Sequence, residues 1–404
     1  MPERALILLE GTRTGIGQLY VQAAQRLGLR PITFSSDPTK YSYLAEDGFE
    51  TVRVDTNDFD KTVQECMNVQ ARYEVVGITC ASLDLIHAKV GKLCRHFGLP
   101  GPDPVAVERC CDKLQQRQLL SSASVPIPAF RSALNVIEAK DAAMEIGLPV
   151  IVKPTIGSGS SGVRLCRNVD ELIGHGAHLL SGKNGQSSVK ILIEEFAQGP
   201  YYSAIIMGNE VVGISTADFG NPPSFVYQQY TLPAELPEDK RRRIIDVCLI
   251  SLRALGLGWG PTNIEFRWTQ RGPVVIEVNP RISGTPEPQM VRRAYGIDLI
   301  TEHIKLSIGE DWDLRVNHSQ TAAGRFLIPD EQGILESLEG GDLARNIPGV
   351  TEVKFYDKPT TLLVRNGDYR DCIGHVIVTS PNHSQTEAIL RSAIDQIAWS
   401  IRPV

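Results

Sequence analysis

The sequence predicts an α/β protein of two to four subdomains, and three observations carry that expectation. Residues 4–100 alternate short apolar runs with helically spaced segments, the βαβα rhythm of a parallel sheet covered on both faces. The stretch Gly98-Leu-Pro-Gly-Pro-Asp-Pro104 is dense in turn formers and marks a boundary. Beyond it the pattern turns to paired strands, and 404 residues exceed what one simple core organises.

Taken in order, Ala5–Leu9 is the first strand and Gly15–Leu27 has helical spacing, after which Arg30–Phe34, Thr51–Val54 and Val75–Thr79 repeat the strand signal. One helix is expected over 105–122, ended by Val125-Pro-Ile-Pro128. Strands Val150–Lys153 and Gly162–Cys166 flank a glycine-rich loop, and a helix at Val169–Leu180 leads to a strand at Ile191–Phe196. Tyr202–Met207 and Glu210–Ala217 read as strands, the polar stretch from Asp218 to Pro237 as a connection, and 239–255 as a helix. Thr262–Trp268 and Pro273–Val278 form a hairpin. From about Thr321 short strands recur (Ala322–Leu327, Val350–Phe355, Leu362–Arg365, Cys372–Thr379), and the chain closes on a helix, Gln385–Ile397.

Composition narrows the function. The net charge is −6 and there is no long basic run, which argues against nucleic acid or an anionic membrane as the main partner. The one basic cluster, Lys240-Arg241-Arg242-Arg243, opens an apolar-periodic helix and reads as a solvated face. No apolar stretch approaches the roughly 20 residues that cross a bilayer, and the start lacks the features of a signal peptide. The eight cysteines show no metal-ligand spacing and lie mostly in apolar runs, as buried thiols of a reducing compartment do. A cytoplasmic protein is expected.

The chemistry is concentrated in a few places. A turn centred on Arg271 would set Glu265 opposite Glu277, and period-two alternation puts Asn279 on the face of Glu277. Facing like charges are destabilising unless a cation lies between them. Two carboxylates and an amide oxygen suit a hard cation, Mg²⁺ or Mn²⁺. Lys153 ends its strand just before Gly157-Ser158-Gly159-Ser160-Ser161-Gly162, a loop whose N–H and hydroxyl groups can wrap anionic oxygens. The loop lacks the Gly-Lys-Ser/Thr ending of a Walker motif. Lys113 opens a helical segment, and Glu194-Glu195-Phe196-Ala197 ends a strand whose backbone could pair with a base.

In this order, Asp-Lys113, Val-Lys153-Pro, Gly-Ser-Gly-Ser-Ser-Gly, Glu194-Glu-Phe, Asn-Ile-Glu265-Phe and Glu277-Val-Asn-Pro-Arg281 closely resemble the ATP-grasp superfamily. The resemblance implies a Rossmann-like domain over 1–100, a two-lobed ATP-grasp domain over 101–310 (small lobe about 125–197) and a C-terminal α+β domain over 311–404. It implies ATP and Mg²⁺ as cofactors. Lys113 and Lys153 would contact the α- and β-phosphates, loop 157–162 would close over the γ-phosphate, and Glu194 to Ala197 would hold the adenine. Glu265, Glu277 and Asn279 would bind the metal, and Arg281 would steady the transferring phosphoryl group. Where the family often places a ribose-binding Glu or His, this chain has Tyr201 and Tyr202; Tyr202 enters the nucleotide set on that ground.

The tail (Ala322-Ala-Gly-Arg-Phe326, Asn346-Ile-Pro-Gly-Val350) and the loop Pro280-Arg281-Ile-Ser283-Gly284-Thr285 resemble the L-amino-acid ligases. That branch implies small-molecule carboxylate and amine substrates, amino acids among them, with Arg281, Ser283 and Gly284 beside the reacting groups. It leaves a homodimer through the first domain open. Where related ligases often have Glu-x-Gly-His, Tyr227-Gln-Gln-Tyr230 stands here, so the substrate preference is expected to differ. A biotin-carboxylase-like or purine-pathway carboxylating enzyme shares the same core. Against biotin carboxylase, the Gln-Val-Glu-His pattern after Asn-x-Arg and any Ala-Met-Lys motif are missing. The run Gly11-Thr-Arg-Thr-Gly15-Ile-Gly17 is weak support for a dinucleotide enzyme.

Overall fold

The computed structural model describes residues 2–12, 15–81, 84–181 and 189–404, so part of the Gly11–Gly17 run lies outside the described residues. Its N-terminal unit is a parallel sheet in the order Glu50–Arg53, Arg30–Ser35, Arg4–Leu9, Glu74–Cys80. Ala5, Ile7 and Leu9 enter one core and Leu6 and Leu8 the other, so both faces are covered, as the unbroken apolar run requires.

The helix expected over 105–122 is two helices, Pro104–Cys111 and Lys113–Ser122. Asp112 between them is extended (φ −89°, ψ 106°), and its carboxylate accepts from the N–H groups of Leu114 and Gln115. An N-cap of this kind satisfies donors that a continuous helix would bond internally. The break leaves Lys113 at the head of the second helix, where its N–H donates to Thr155 O at 2.8 Å.

A small antiparallel sheet follows, in the order Phe130–Ala133, Ile191–Glu195, Val150–Pro154, Arg164–Cys166. One of its faces packs on the helices Val136–Ile146 and Val169–Leu180 through Val150, Val152, Ile191 and Ile193. The large antiparallel sheet runs Gly272–Asn279, Pro261–Thr269, Tyr201–Met207, Glu210–Phe219, Tyr227–Leu232, Thr321–Leu327, Gly374–Ser380, Val350–Phe355. It is continuous across residue 310, so the C-terminal α+β unit extends the core sheet.

Four strands were not expected: Tyr227–Leu232, Gly333–Glu339, Ala398–Arg402 and, in the small sheet, Phe130–Ala133. The first lies in the stretch read as a connection, yet it is paired on both sides, to Glu210–Phe219 and Thr321–Leu327. Gly333–Glu339 and Ala398–Arg402 pair with each other (Ile334 opposite Arg402), and the final helix stops at Ile394 to make room. Strands stabilised by remote partners leave little local signal. The basic cluster opens the helix Glu238–Leu255 with Arg241, Arg242 and Arg243 exposed, as expected, and in addition Lys240 Nζ and the Arg243 guanidinium each lie 5.1 Å from the Trp268 ring centre. Among the described residues no helix is long and apolar enough to cross a membrane.

Candidate active site

A cavity of about 490 Å³ opens where the two sheets face each other, and it gathers most of the chemistry-bearing residues. On the small sheet, Ile151 stands opposite Glu194 and Lys153 opposite Leu192, so Lys153 and Glu194 are diagonal neighbours on the face turned away from the helices. Lys153 Nζ lies 2.6 Å from Glu194 Oε2, and Arg117 Nε lies 2.6 Å from Oε1, all three side chains being almost fully buried. The Glu194 carboxylate is therefore engaged by two cations and not free to face a base. Burial pushes it up, but Arg117 and Lys153 outweigh burial and hold it below the ordinary carboxylate range. Glu195, Phe196 and Ala197, just beyond, line the cavity.

Lys113 forms the second anchor. Its Nζ lies 2.7 Å from Glu277 Oε1 and donates to Gly157 O at 2.5 Å, tying the hairpin to the start of the glycine loop. Burial pulls the Lys113 ammonium down, but Glu277 outweighs it and holds it above its ordinary value. Glu277, pushed up by burial, is held low by Lys113 and Lys153.

The hairpin reaches the expected pairing by an unexpected route. Its turn is Gln270-Arg271, with Thr269 opposite Gly272, a register that would bring Ile276 opposite Glu265. A β-bulge between Glu265 and Phe266 absorbs one residue of the other strand, and from there Glu265 faces Glu277 and Asn263 faces Asn279. Ile276 and Glu277, although adjacent, consequently both line the cavity, together with Asn279. Asn279 Nδ2 is 3.4 Å from Glu265 Oε1, and the Tyr201 hydroxyl donates to Glu265 Oε2 at 2.5 Å. Burial and then the Glu277 charge raise Glu265, against the pull of Tyr201 and Tyr227. A facing pair with one member raised and one lowered is a pair that a cation would relieve.

Several expected residues lie elsewhere. Tyr202 is on the opposite face of its strand, stacked on Phe266 with ring centres 5.7 Å apart, because its neighbour Tyr201 takes the inward position. Period two decides this: Glu265 pairs with Ser203 and Arg267 with Tyr201, whereas Phe266 pairs with Tyr202. Of the loop, residues 157–161 line the cavity and Gly162 does not. Gly162 has φ +73°, and its carbonyl faces His175 Nε2 at 2.8 Å. Gly159 (φ +63°) is held at Tyr369, whose N–H donates to its carbonyl at 3.2 Å. Gly284 borders the cavity, with nothing within 4 Å of where a Cβ would stand, while Ser283 is buried outside it.

Arg281 lines the cavity with its Nε 2.7 Å from Asp84 Oδ1, a residue of the N-terminal unit. Asp84, Arg117, Tyr201 and Glu287 were missed from sequence. Arg117 follows Lys113 by four residues on one helix and could have been found by that spacing. Tyr201 could have been found by strand parity. Asp84 and Glu287 carry no local signal. Of the segment expected to set substrate preference, Tyr227 and Tyr230 enter the cavity, while Gln229 is drawn aside, its Nε2 donating to Glu387 at 2.6 Å.

Residues 112–315 match the family model of the carbamoyl-phosphate synthase L chain ATP binding domain, and residues 325–402 match that of the L-amino acid ligase C-terminal domain 2. The chain is 50% identical over 401 residues to the protein y4rH of Sinorhizobium fredii, covering 99% of this chain and 84% of that one. It is 27% identical over 365 residues to carnosine synthase 1 of Gallus gallus, covering 84% of this chain but only 39% of that protein. Its fold matches that of the L-amino acid ligase from Bacillus licheniformis over 100% of both chains, with a TM-score of 0.84 at 19% identity. With more than half its length in the ATP-binding model, and the lysines, glycine loop and carboxylate pair around one cavity, the chain belongs to the ATP-grasp superfamily, as an ATP-grasp ligase of the carboxylate–amine kind.

Proposed function

We propose that the protein joins the carboxylate of one amino acid to the amine of another at the expense of ATP, through an acyl phosphate, with release of ADP and phosphate. The observation that carries this reading is the convergence of Lys113, Lys153, Glu265, Glu277 and Arg281 on one cavity. The C-terminal match to the L-amino acid ligase model and the relatives named L-amino acid ligase and carnosine synthase support it.

A carboxylate is a poor acyl donor because its oxide is a bad leaving group. Moving the γ-phosphoryl group of ATP onto that oxygen converts it into phosphate, which an amine then displaces. Positioning and charge neutralisation dominate such transfers. Lys113 and Lys153 supply fixed positive charge toward the phosphates, and Arg281 toward the transferring group. Loop 157–161 covers the chain of phosphates and excludes water, which would otherwise hydrolyse the activated acid. Phe196 and Ala197 offer a surface for the base.

The residues present fit Mg²⁺ or Mn²⁺. Glu265 and Glu277 face each other with Asn279 beside them, an all-oxygen donor set with one carboxylate raised by burial and then by the charge of the other. These three would hold the ion, which would neutralise phosphate charge.

The test is incubation with ATP, Mg²⁺ and pairs of amino acids, reading ADP and phosphate and searching for a new amide by mass spectrometry. AMP with pyrophosphate instead of ADP would sink the acyl-phosphate step. Turnover that requires bicarbonate would favour a carboxylating enzyme.

A further inference from the structure

Glu287 is a buried carboxylate of the cavity that the ATP and metal reading leaves unused. It opens the helix Glu287–Tyr295, is 3% exposed and lines the cavity. Its Oε1 accepts from Ser215 Oγ at 2.5 Å and its Oε2 from Ser203 Oγ at 3.2 Å, and Ser203 is itself fixed by Asn263 Nδ2 at 2.6 Å. These neutral donors hold the carboxylate in place and leave acceptor capacity on both oxygens. Three other carboxylates of the site have side-chain cations: Glu194 has Arg117 and Lys153, Glu277 has Lys113, and Glu195 has Arg271, while Glu265, which has none, belongs to the proposed metal set. Among the described residues none lies within ion-pair distance of Glu287, and the nearby Arg281 is committed to Asp84. A buried carboxylate without a counter-ion is costly unless a ligand supplies the charge.

The surroundings match a cation. Tyr227 and Tyr230 stack with ring centres 5.0 Å apart, and Phe326 meets Tyr230 edge-on at 6.3 Å; all three line the cavity. Electron-rich ring faces attract a cation more strongly once it is desolvated. Gly284, three residues before Glu287, borders open space.

We propose that Glu287 binds the ammonium group of the acceptor substrate, in a subsite walled by Tyr227, Tyr230 and Phe326. The acceptor enters as a primary amine cation bearing an apolar or aromatic body. The assignment rests on the ligase reading for the role of the ligand, but not for its detection.

The experiment uses the full chain with Glu287→Gln and Glu287→Asp. Titration calorimetry is run against the amides of the common L-amino acids, each with its des-amino amide as control. At least one amide is expected to bind the unsubstituted protein about tenfold or more tightly than its des-amino partner, as a charge-assisted contact supplies. Glu287→Gln should erase that preference and Glu287→Asp, which keeps the charge and covers the case of a poorly folding Gln variant, should retain part of it. A preference that survives in both variants overturns the assignment, as does no preference across the whole panel. Amide formation measured in parallel separates the two ideas. Turnover without Glu287-dependent amine binding sinks this assignment alone, and Glu287-dependent amine binding without any amide product sinks the ligase reading alone.

Discussion

Glu265 and Glu277 face each other across the hairpin because a β-bulge at Ile276 corrects the register set by the turn. The fold thus places two half-buried carboxylates together, one raised by burial and then by the charge of the other, the second held low by Lys113 against burial. Bulges beside active sites commonly re-aim side chains in this way. Two substitutions in this pair should move stability in opposite directions. Glu265→Gln removes a like charge, and the metal-free protein is expected to gain about 0.2–1 kcal/mol. Glu277→Ala strips Lys113 of its partner and should cost about 3–5 kcal/mol. Both should lower ADP release about 100-fold or more if the pair holds the metal. Urea unfolding in EDTA and ADP release in Mg²⁺ read the two effects, and unchanged turnover in Glu277→Ala removes the metal assignment.

Glu194 lies between Arg117 and Lys153 in the most buried ionic cluster of the site. Glu194→Gln leaves two buried cations underpaired, with an expected loss of about 3–5 kcal/mol and a raised KM for ATP as Lys153 loses its anchor. Because the folded carboxyl is held below its ordinary value, its contribution is present above the unfolded pKa and disappears as pH falls through the folded one. Comparing acid unfolding of the two proteins checks this: Glu194→Gln should lack that part of the acid limb.

Glu287 predicts the opposite pH dependence. Burial raises it from 4.5 to about 7, so the folded chain keeps a proton that the unfolded chain has already released. Its contribution is full below about 4.5 and lost as pH rises to about 7, a change of about 3 kcal/mol in the ligand-free protein. The difference in melting temperature between the unsubstituted protein and Glu287→Gln, followed from pH 4 to pH 8, should show that slope. A flat difference would mean that Glu287 is ionised throughout.

Strand parity separates Tyr201 from Tyr202. Tyr201→Phe removes the hydroxyl donor to Glu265 and should weaken metal-dependent ATP turnover about tenfold, the size of one lost charge-assisted hydrogen bond. Tyr202→Phe, on the face stacked against Phe266, should leave the KM for ATP unchanged. Steady-state kinetics of both variants decides whether the inward tyrosine is the functional one.

The parallel N-terminal sheet follows from apolar runs such as Ala5–Leu9, and the lysines and glycine loop from residue types that phosphate chemistry needs. The expected facing of Glu265 and Glu277 is present, although by a bulge and not by a turn centred on Arg271. The break at Asp112 is only half legible: Lys113 reads as a helix start, yet the run over 105–122 keeps one periodicity, because capping competes with it over a single residue. Tyr202 was misassigned because the sequence shows two adjacent tyrosines and only the strand pairing says which points inward.

By itself the sequence determined much of the vocabulary of the cavity, because Lys153 with its loop, Lys113, and the Glu265, Glu277 and Asn279 set are close-range patterns with a local physical meaning. Only the tertiary structure decided which charges neutralise which. Arg117 reaches Glu194 across 77 positions, Asp84 comes from another unit to Arg281, and the strand Tyr227–Leu232 is held by partners on both sides. It also showed that Glu287 is buried without a cation. A carboxylate's partners depend on chain segments far apart in sequence that packing brings within a few ångströms, and no local periodicity encodes that distance.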